Sequence, residues 1–158
     1  MTESVVSDTG PIIHLDEAGA LDLLSIFESL HVPRAVYDEL ETGGIPDGFD
    51  ELAVSIHDVG TDAYPTLDPG ESAALVLCSS LDATFLTDDL DARETADAEG
   101  VDVHGSIGVV CYALGETELT RDEASTLLRT LDSETSLYLS EPLLEYAIRL
   151  VERGEHDW

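Results

Sequence analysis

Apolar residues fall along this chain in two alternating rhythms. Short runs of strand length sit near residues 4–7, 31–32, 83–87 and 101–103, and stretches with helical spacing lie between them. Val5 and Val6 form a strand that begins almost at the N-terminus and delivers Asp8 to its carboxyl end. Ile12, Leu15, Leu21, Leu24 and Phe27 give helical spacing over residues 11–27, with a break near Gly19. Pro33 opens a helix to about Leu40, with Val36, Tyr37 and Leu40 on one face. Residues 42–48, with Gly43, Gly44, Pro46 and Gly48, read as a loop, and residues 52–59 alternate well enough for an edge strand. Residues 68–81 are apolar nearly all round, which predicts a helix buried on most sides.

The second half continues the alternation. A strand over residues 83–87 ends at Asp88, a helix over 91–99 is closed by Gly100, and a short strand follows at 101–103. Gly105 and Gly108 flank the start of a helix running to Leu114. Two amphipathic segments, 121–131 and 141–152, come last, and Leu137-Tyr138-Leu139 between them reads as a turn anchor or a short strand. Strands alternating with helices predict one α/β domain over residues 1–158 with a mostly parallel sheet. Residues from about 117 read as helical additions packed on that sheet.

Charge alters this picture in one respect. The chain has 35 Asp+Glu against 6 Lys+Arg, a formal net charge of −29, and all its basic residues are arginine. Self-repulsion on this scale disfavours a compact state unless salt screens it. The chain is nevertheless 43% hydrophobic, with its apolar residues in ordered runs, so disorder is not the expectation. The acids are spread along the whole chain. A folded cytoplasmic protein of a salt-adapted organism accounts for that spread better than an acidic tail meant for a basic partner. No apolar run is long enough for a membrane span and no signal peptide is visible, so no membrane partner is expected. Cys78 and Cys111 lie inside apolar helical patterns without metal or redox spacing and read as small buried hydrophobes.

The candidate chemistry lies in acids placed where elements begin or end: Asp8, Glu39, Glu71, Asp88 and Asp89. Each also has an ordinary reading. Asp8 could cap the helix after it. Glu39 borders the apolar stripe of its helix and could be a solvated acid. Asp68-Pro69-Gly70-Glu71 fits a capping box with Asp as the cap, although Glu71 also shares a face with Ala74, Leu75 and Cys78. Asp91-Ala92-Arg93-Glu94 fits a second capping box, so Asp91 reads as a cap, which leaves Asp88 and Asp89 free to face the crevice. Acids gathered at the carboxyl ends of parallel strands suit Mg²⁺ or Mn²⁺, hard ions that take oxygen ligands and keep waters. Ser7 or Thr9 could orient Asp8. There is no nucleophile elbow and no P-loop. His14, His31, His57, His104 and His156 show no ligand spacing and read as structural or surface residues. A dehalogenase-type phosphatase would want a second Asp two residues after Asp8, where Gly10 stands.

Residues 5–15, Val-Val-Ser-Asp-Thr-Gly-Pro-Ile-Ile-His-Leu, resemble the opening motif of PIN domains. Residues 32–40, 67–74, 85–93 and 104–109 agree in order and spacing, so the resemblance covers residues 4 to about 150. It is nearest to a prokaryotic PIN-like branch related to VapC toxins. The resemblance implies a PIN-like three-layer α/β fold with helices on both sides of a parallel sheet, and an acidic Mg²⁺ or Mn²⁺ pocket that cleaves RNA by phosphodiester hydrolysis. It maps the family's acids onto Asp8, Glu39, Glu71 and either Asp88 or Asp89, with Asp8, Glu39, Asp88 and Asp89 as metal ligands. Gly10 stands where many PIN nucleases carry Asn or Ser, and Glu71 replaces a more usual aspartate. The leading expectation is a metal-dependent ribonuclease, one form of which is a toxin restrained by an antitoxin protein. The alternative is a non-catalytic PIN-like binding or regulatory protein. RNA as substrate, an antitoxin and a second copy in a homodimer are the partners that the resemblance implies.

Overall fold

The computed structural model describes residues 3–155. Five strands form one parallel sheet in the order β3-β2-β1-β4-β5. They are β1 (Ser4–Ser7), β2 (Ser29–Pro33), β3 (Ser55–His57), β4 (Thr84–Leu86) and β5 (Val103–His104). Helices α1 (Thr9–Glu17), α2 (Arg34–Gly43), α3 (Pro69–Leu81), α4 (Leu90–Ala98) and α5 (Ser106–Glu116) follow successive strands, and α6 (Arg121–Glu134) and α7 (Glu141–Glu152) complete the chain. The chain runs outward from β1 through β2 to β3, then crosses to β4 on the other side of β1. In open parallel sheets ligands bind at such a reversal, outside the carboxyl ends of the strands.

The pleat divides the core into two layers. Val6 and Phe85, paired across β1 and β4, pack against Ala74, Leu75 and Cys78 of α3 and Ala92 and Ala96 of α4. Val5, Leu30, Val32 and Leu86 face the other way, into a cluster with Ile12 and Leu15 of α1, Val109 and Val110 of α5, Leu128 of α6 and Ile148 of α7. Strands buried on both faces require continuous apolar runs, and Val5-Val6 and Phe85-Leu86 supply them. Cys78 and Cys111 are buried free thiols, in keeping with small hydrophobic side chains. No helix among the described residues is long and apolar enough to cross a membrane.

Several boundaries differ from the expectation, each for a local reason. The helix expected over residues 11–27 starts at Thr9, because Asp8 accepts from the Thr9 amide and caps it. It stops at Glu17, and Gly19 (φ 73) turns the chain into a 3₁₀ segment over Leu21–Ile26. Pro33 ends β2 and flanks α2 instead of opening it. The strand expected over 52–59 shrinks to Ser55–His57, since Phe49–Leu52 coils into a 3₁₀ turn that ends at Ala53 in the left-handed region (φ 52). The strand expected over 101–103 is Val103–His104. Leu137 anchors the connection between α6 and α7, and no strand forms there.

Candidate metal centre

Asp8, Glu39, Glu71, Asp88 and Asp89 all line one cavity of about 830 Å³ at the carboxyl ends of β1 and β4. The sheet register brings the first of them together with a residue that local sequence could not connect to it. Ser7 pairs with Leu86, so the next step along each strand sets Asp8 beside Thr87. The Asp8 amide donates to the Leu86 carbonyl (2.8 Å). The Asp8 carboxylate accepts from the Thr9 amide (2.8 Å) and from the Thr87 hydroxyl (2.9 Å). Of the two neighbours expected to orient it, Thr9 does so. Ser7 turns its hydroxyl to the Asp8 carbonyl instead.

Glu39 reaches the same space from α2. The Thr9 hydroxyl donates to its Oε2 (2.7 Å), so one residue of α1 steadies two acids. Its Oε1 lies against the first turn of α3, where a Cβ on Gly70 would come within 2.6 Å of it. Glu71 combines its two expected roles. It closes the capping box with Asp68, and it is buried on the cavity wall.

The pair after β4 does not behave as expected. Asp88 lines the cavity with both oxygens already hydrogen-bonded within the protein. Its Oδ1 accepts from the Ser106 amide (2.7 Å). Its Oδ2 accepts from the Ser106 hydroxyl (2.6 Å) and lies 2.7 Å from Nδ1 of His14. Asp88 thus ties β4 to α1 and α5. Gly105 is required beside it, because a Cβ there would lie 2.5 Å from Asp88 Oδ1 and 2.9 Å from Nη1 of Arg93. Asp89, not Asp91, caps α4. The Asp89 carboxylate accepts from the Ala92 amide (3.0 Å), and Asp91 lies exposed in the first turn. The capping-box pattern was displaced because the Thr87 hydroxyl accepts from the Asp89 amide (3.2 Å), which turns the chain one residue pair earlier.

His14 lines the cavity through its bond to Asp88, which its spacing in the sequence did not foretell. His31 and His57 pair with each other on neighbouring strands (2.9 Å). His104 also lines the cavity, with Arg93. His156 lies outside the described residues.

Electrostatics set these acids apart from the others. Burial, reinforced by Asp68 and Glu39, raises the Asp8 carboxyl to about 7 despite its bonds from Thr9 and Thr87. Burial, reinforced by Asp8, Asp68 and Asp89, raises Glu71 to about 8. What tempers the repulsion is local. The N-termini of α1, α3, α4 and α5 all open on this cavity through Thr9, Asp68, Asp89 and Gly105. Their partial positive ends favour negative charge there.

The donor set fits a hard divalent ion. It is all oxygen, with Asp8 and Glu71 buried and Glu39 and Asp89 exposed on the same cavity wall, and its charge is only partly offset. Glu39 Oε1, Glu71 Oε2 and Asp89 Oδ1 make no hydrogen bond among the described residues. As they stand, no three carboxylate, imidazole or thiol groups among the described residues are drawn tightly enough together to hold an ion.

Comparison with known proteins agrees with this architecture. The chain is similar in structure to a PilT N-terminus domain protein from the hyperthermophilic archaeon Sulfolobus solfataricus P2. The TM-score is 0.53 at 16% identity, over 67% of this chain and 89% of that one. At that identity the likeness concerns the fold. A search of curated proteins returns no match. The PIN domain family model DUF3368 matches residues 4–153. PIN domains are generally nucleases that use divalent metal ions, and this chain belongs to the PIN domain family.

Proposed function

We propose that the protein is a Mg²⁺- or Mn²⁺-dependent endoribonuclease, with Asp8, Glu39, Glu71 and Asp89 as the residues that hold the metal. The observation that carries this reading is the convergence of these acids, from four different elements, on one cavity in which two of them are pushed out of the normal carboxylate range. A site that keeps buried, mutually repelling carboxylates is arranged for a positive charge. A bound divalent ion would supply Lewis acidity and neutralise the charge that develops on a phosphodiester during hydrolysis. The chain's own residues do the rest. Thr9 and Thr87 fix the Asp8 carboxylate, Thr9 fixes Glu39, and the capping box fixes Glu71. Asp88 works differently from the other acids, holding His14 and Ser106 in place. Restraint by an antitoxin and assembly as a homodimer belong to the same reading.

The net charge of −29 favours the second reading, a non-catalytic PIN-like protein, because a polyanion is repelled and basic contacts are few. The two separate in one assay. Purified protein in molar salt should cut end-labelled single-stranded RNA with Mg²⁺ or Mn²⁺ and should not cut it in EDTA. A chain that is folded by circular dichroism yet inert with every divalent ion would establish the non-catalytic reading.

Gly70→Ala probes the geometry of Glu39. The new methyl would press on Glu39 Oε1 and come within 3.3 Å of Val36 Cγ2. A carboxylate at the end of a flexible side chain can move aside, and alanine suits a helix better than glycine. Melting temperature should therefore hold or rise slightly. Cleavage should fall by roughly ten- to a hundredfold, because displacements of about 1 Å in a reacting site cost that much. Unchanged cleavage would remove Glu39 from the site.

A further inference from the structure

We propose that Tyr138, with Leu90 and Leu143, forms a stacking subsite for an unpaired nucleobase in the same cavity as the acids. This rests on the ribonuclease reading and specifies how its substrate is held.

Two kinds of group line the cavity: the acids Asp8, Glu39 and Glu71, and the apolar side chains of Leu90, Tyr138 and Leu143. These three are among the few large apolar side chains that the fold leaves exposed, at 67%, 87% and 46%. Tyr146, 54% exposed on α7, is not part of the cavity wall.

Tyr138 stands on a fastened segment. The connection between α6 and α7 is fastened on both sides of it. The Ser136 amide and hydroxyl both donate to the Glu17 carboxylate (3.1 and 2.7 Å). These bonds hold the Glu17 carboxyl below its ordinary value. Leu137 is buried in the main core cluster, and its amide donates to the Thr135 hydroxyl (3.2 Å). Just beyond, the Ser140 hydroxyl accepts from Leu143 at the start of α7. A backbone pinned in this way fixes where Tyr138 leaves the chain, and its exposed ring extends from there at the cavity wall. The ring stacks on no other aromatic among the described residues.

Charge selects the occupant. A chain at −29 with no lysine gains little from phosphate contacts and counterion release. An aromatic face holds a polyanion by its uncharged bases, and this contribution is insensitive to salt compared with ion pairing. The patch is also a few side chains on a concave wall, far short of the area that a stable protein partner or second copy covers.

The test is binding by fluorescence anisotropy. The full chain in molar salt with EDTA is titrated into two labelled oligomers of equal length, single-stranded oligouridylate and its abasic ribose-phosphate counterpart. Wild type should prefer the base-bearing oligomer by about tenfold. Tyr138→Ala should erase the preference, and Tyr138→Phe should keep it. Asp8→Asn should retain the preference, which separates the subsite from the metal reading. A base preference in a chain that cuts nothing would sink the nuclease reading and leave the subsite standing. Equal affinity of wild type for both oligomers would overturn the subsite, whatever the cleavage assay shows. So would a Tyr138→Ala variant that keeps the preference, or one that changes only the oligomeric state by light scattering and thereby marks the patch as a contact between copies.

Discussion

Asp8→Asn is expected to abolish metal-dependent cleavage and, in the same protein, to stabilise the metal-free fold. Asparagine is nearly isosteric and caps a helix as well as aspartate does. Its side-chain oxygen can accept from the Thr9 amide, and its amide can donate to the Thr87 hydroxyl, so the bonds of the site survive. What disappears is the charge. For catalysis that means loss of a metal ligand and a rate reduced by orders of magnitude. For stability it means relief. Asp8 has a folded-state pKa raised from 3.8 to about 7. At neutral pH and above, the wild type must either ionise a buried acid or keep it protonated. A shift of that size corresponds to about 4 kcal/mol at most by linkage.

The pH dependence has a definite sign. Below about pH 4 both Asp8 and Glu71 are protonated in the folded and unfolded chains, and their favourable contribution is fully present. As pH rises through about 7 for Asp8 and about 8 for Glu71, that contribution is lost. Melting of the metal-free wild type should therefore fall between pH 4 and 8 by more than that of Asp8→Asn. Added Mg²⁺ or Mn²⁺ should restore the wild type most at the alkaline end, where binding meets ionised ligands. Differential scanning fluorimetry across pH, with and without metal, reads both effects. A variant less stable than wild type at pH 8 in EDTA would mean that Asp8 is a structural cap and nothing more.

The parts of this site that local sequence reveals are those whose partners are close along the chain. The Asp68–Glu71 capping box is visible in four consecutive residues, and Asp8 announces itself by standing alone at the end of Val5-Val6-Ser7. The helical face of residues 71, 74, 75 and 78 shows that Glu71 is buried. The rest depends on which strands lie side by side. Thr87 is 79 residues from Asp8, and it becomes a partner only because β4 crosses back to lie beside β1. His14 and Asp88 are 74 residues apart, and nothing in either neighbourhood marks them as a pair. The difference between Asp88 and Asp89 is the same kind of fact. Both follow a strand and both precede a helix. Only the position of Ser106 on α5 decides that Asp88 spends both oxygens on the protein while Asp89 keeps one. The misplaced cap at Asp91 has a related cause. A capping box is a local pattern, and the Thr87 hydroxyl, committed to Asp8, reset where α4 begins.

The protein should lose its fold in dilute buffer and regain it in molar salt. Its 35 acids face 6 arginines, and those arginines do little to neutralise them. Arg34 meets Asp58 at 3.3 Å on the surface, where such a pair contributes little. Arg93 donates to the Thr87 carbonyl and Arg121 to the Glu152 carbonyl, so both make bonds to the backbone. Unscreened, the remaining acids repel one another across the whole surface, and unfolding relieves them by moving them apart. Screening shortens that repulsion from about 8 Å in physiological salt to about 3 Å at 1 M. The core itself has no unusual weakness, since Val5, Val6, Ile12, Leu15, Phe85 and Leu128 are fully enclosed. The cost therefore lies in the charges and should respond to ionic strength. Circular dichroism and thermal melts in KCl from millimolar to molar should show the helical signal appear and the melting temperature climb by tens of degrees. Most of the rise should come at low concentration, where the screening length changes fastest. Potassium and sodium chlorides at equal strength should act alike, because screening depends on ionic strength alone. A chain fully folded at millimolar salt, with a melting temperature flat up to molar KCl, would mean that the acids serve something other than life in salt.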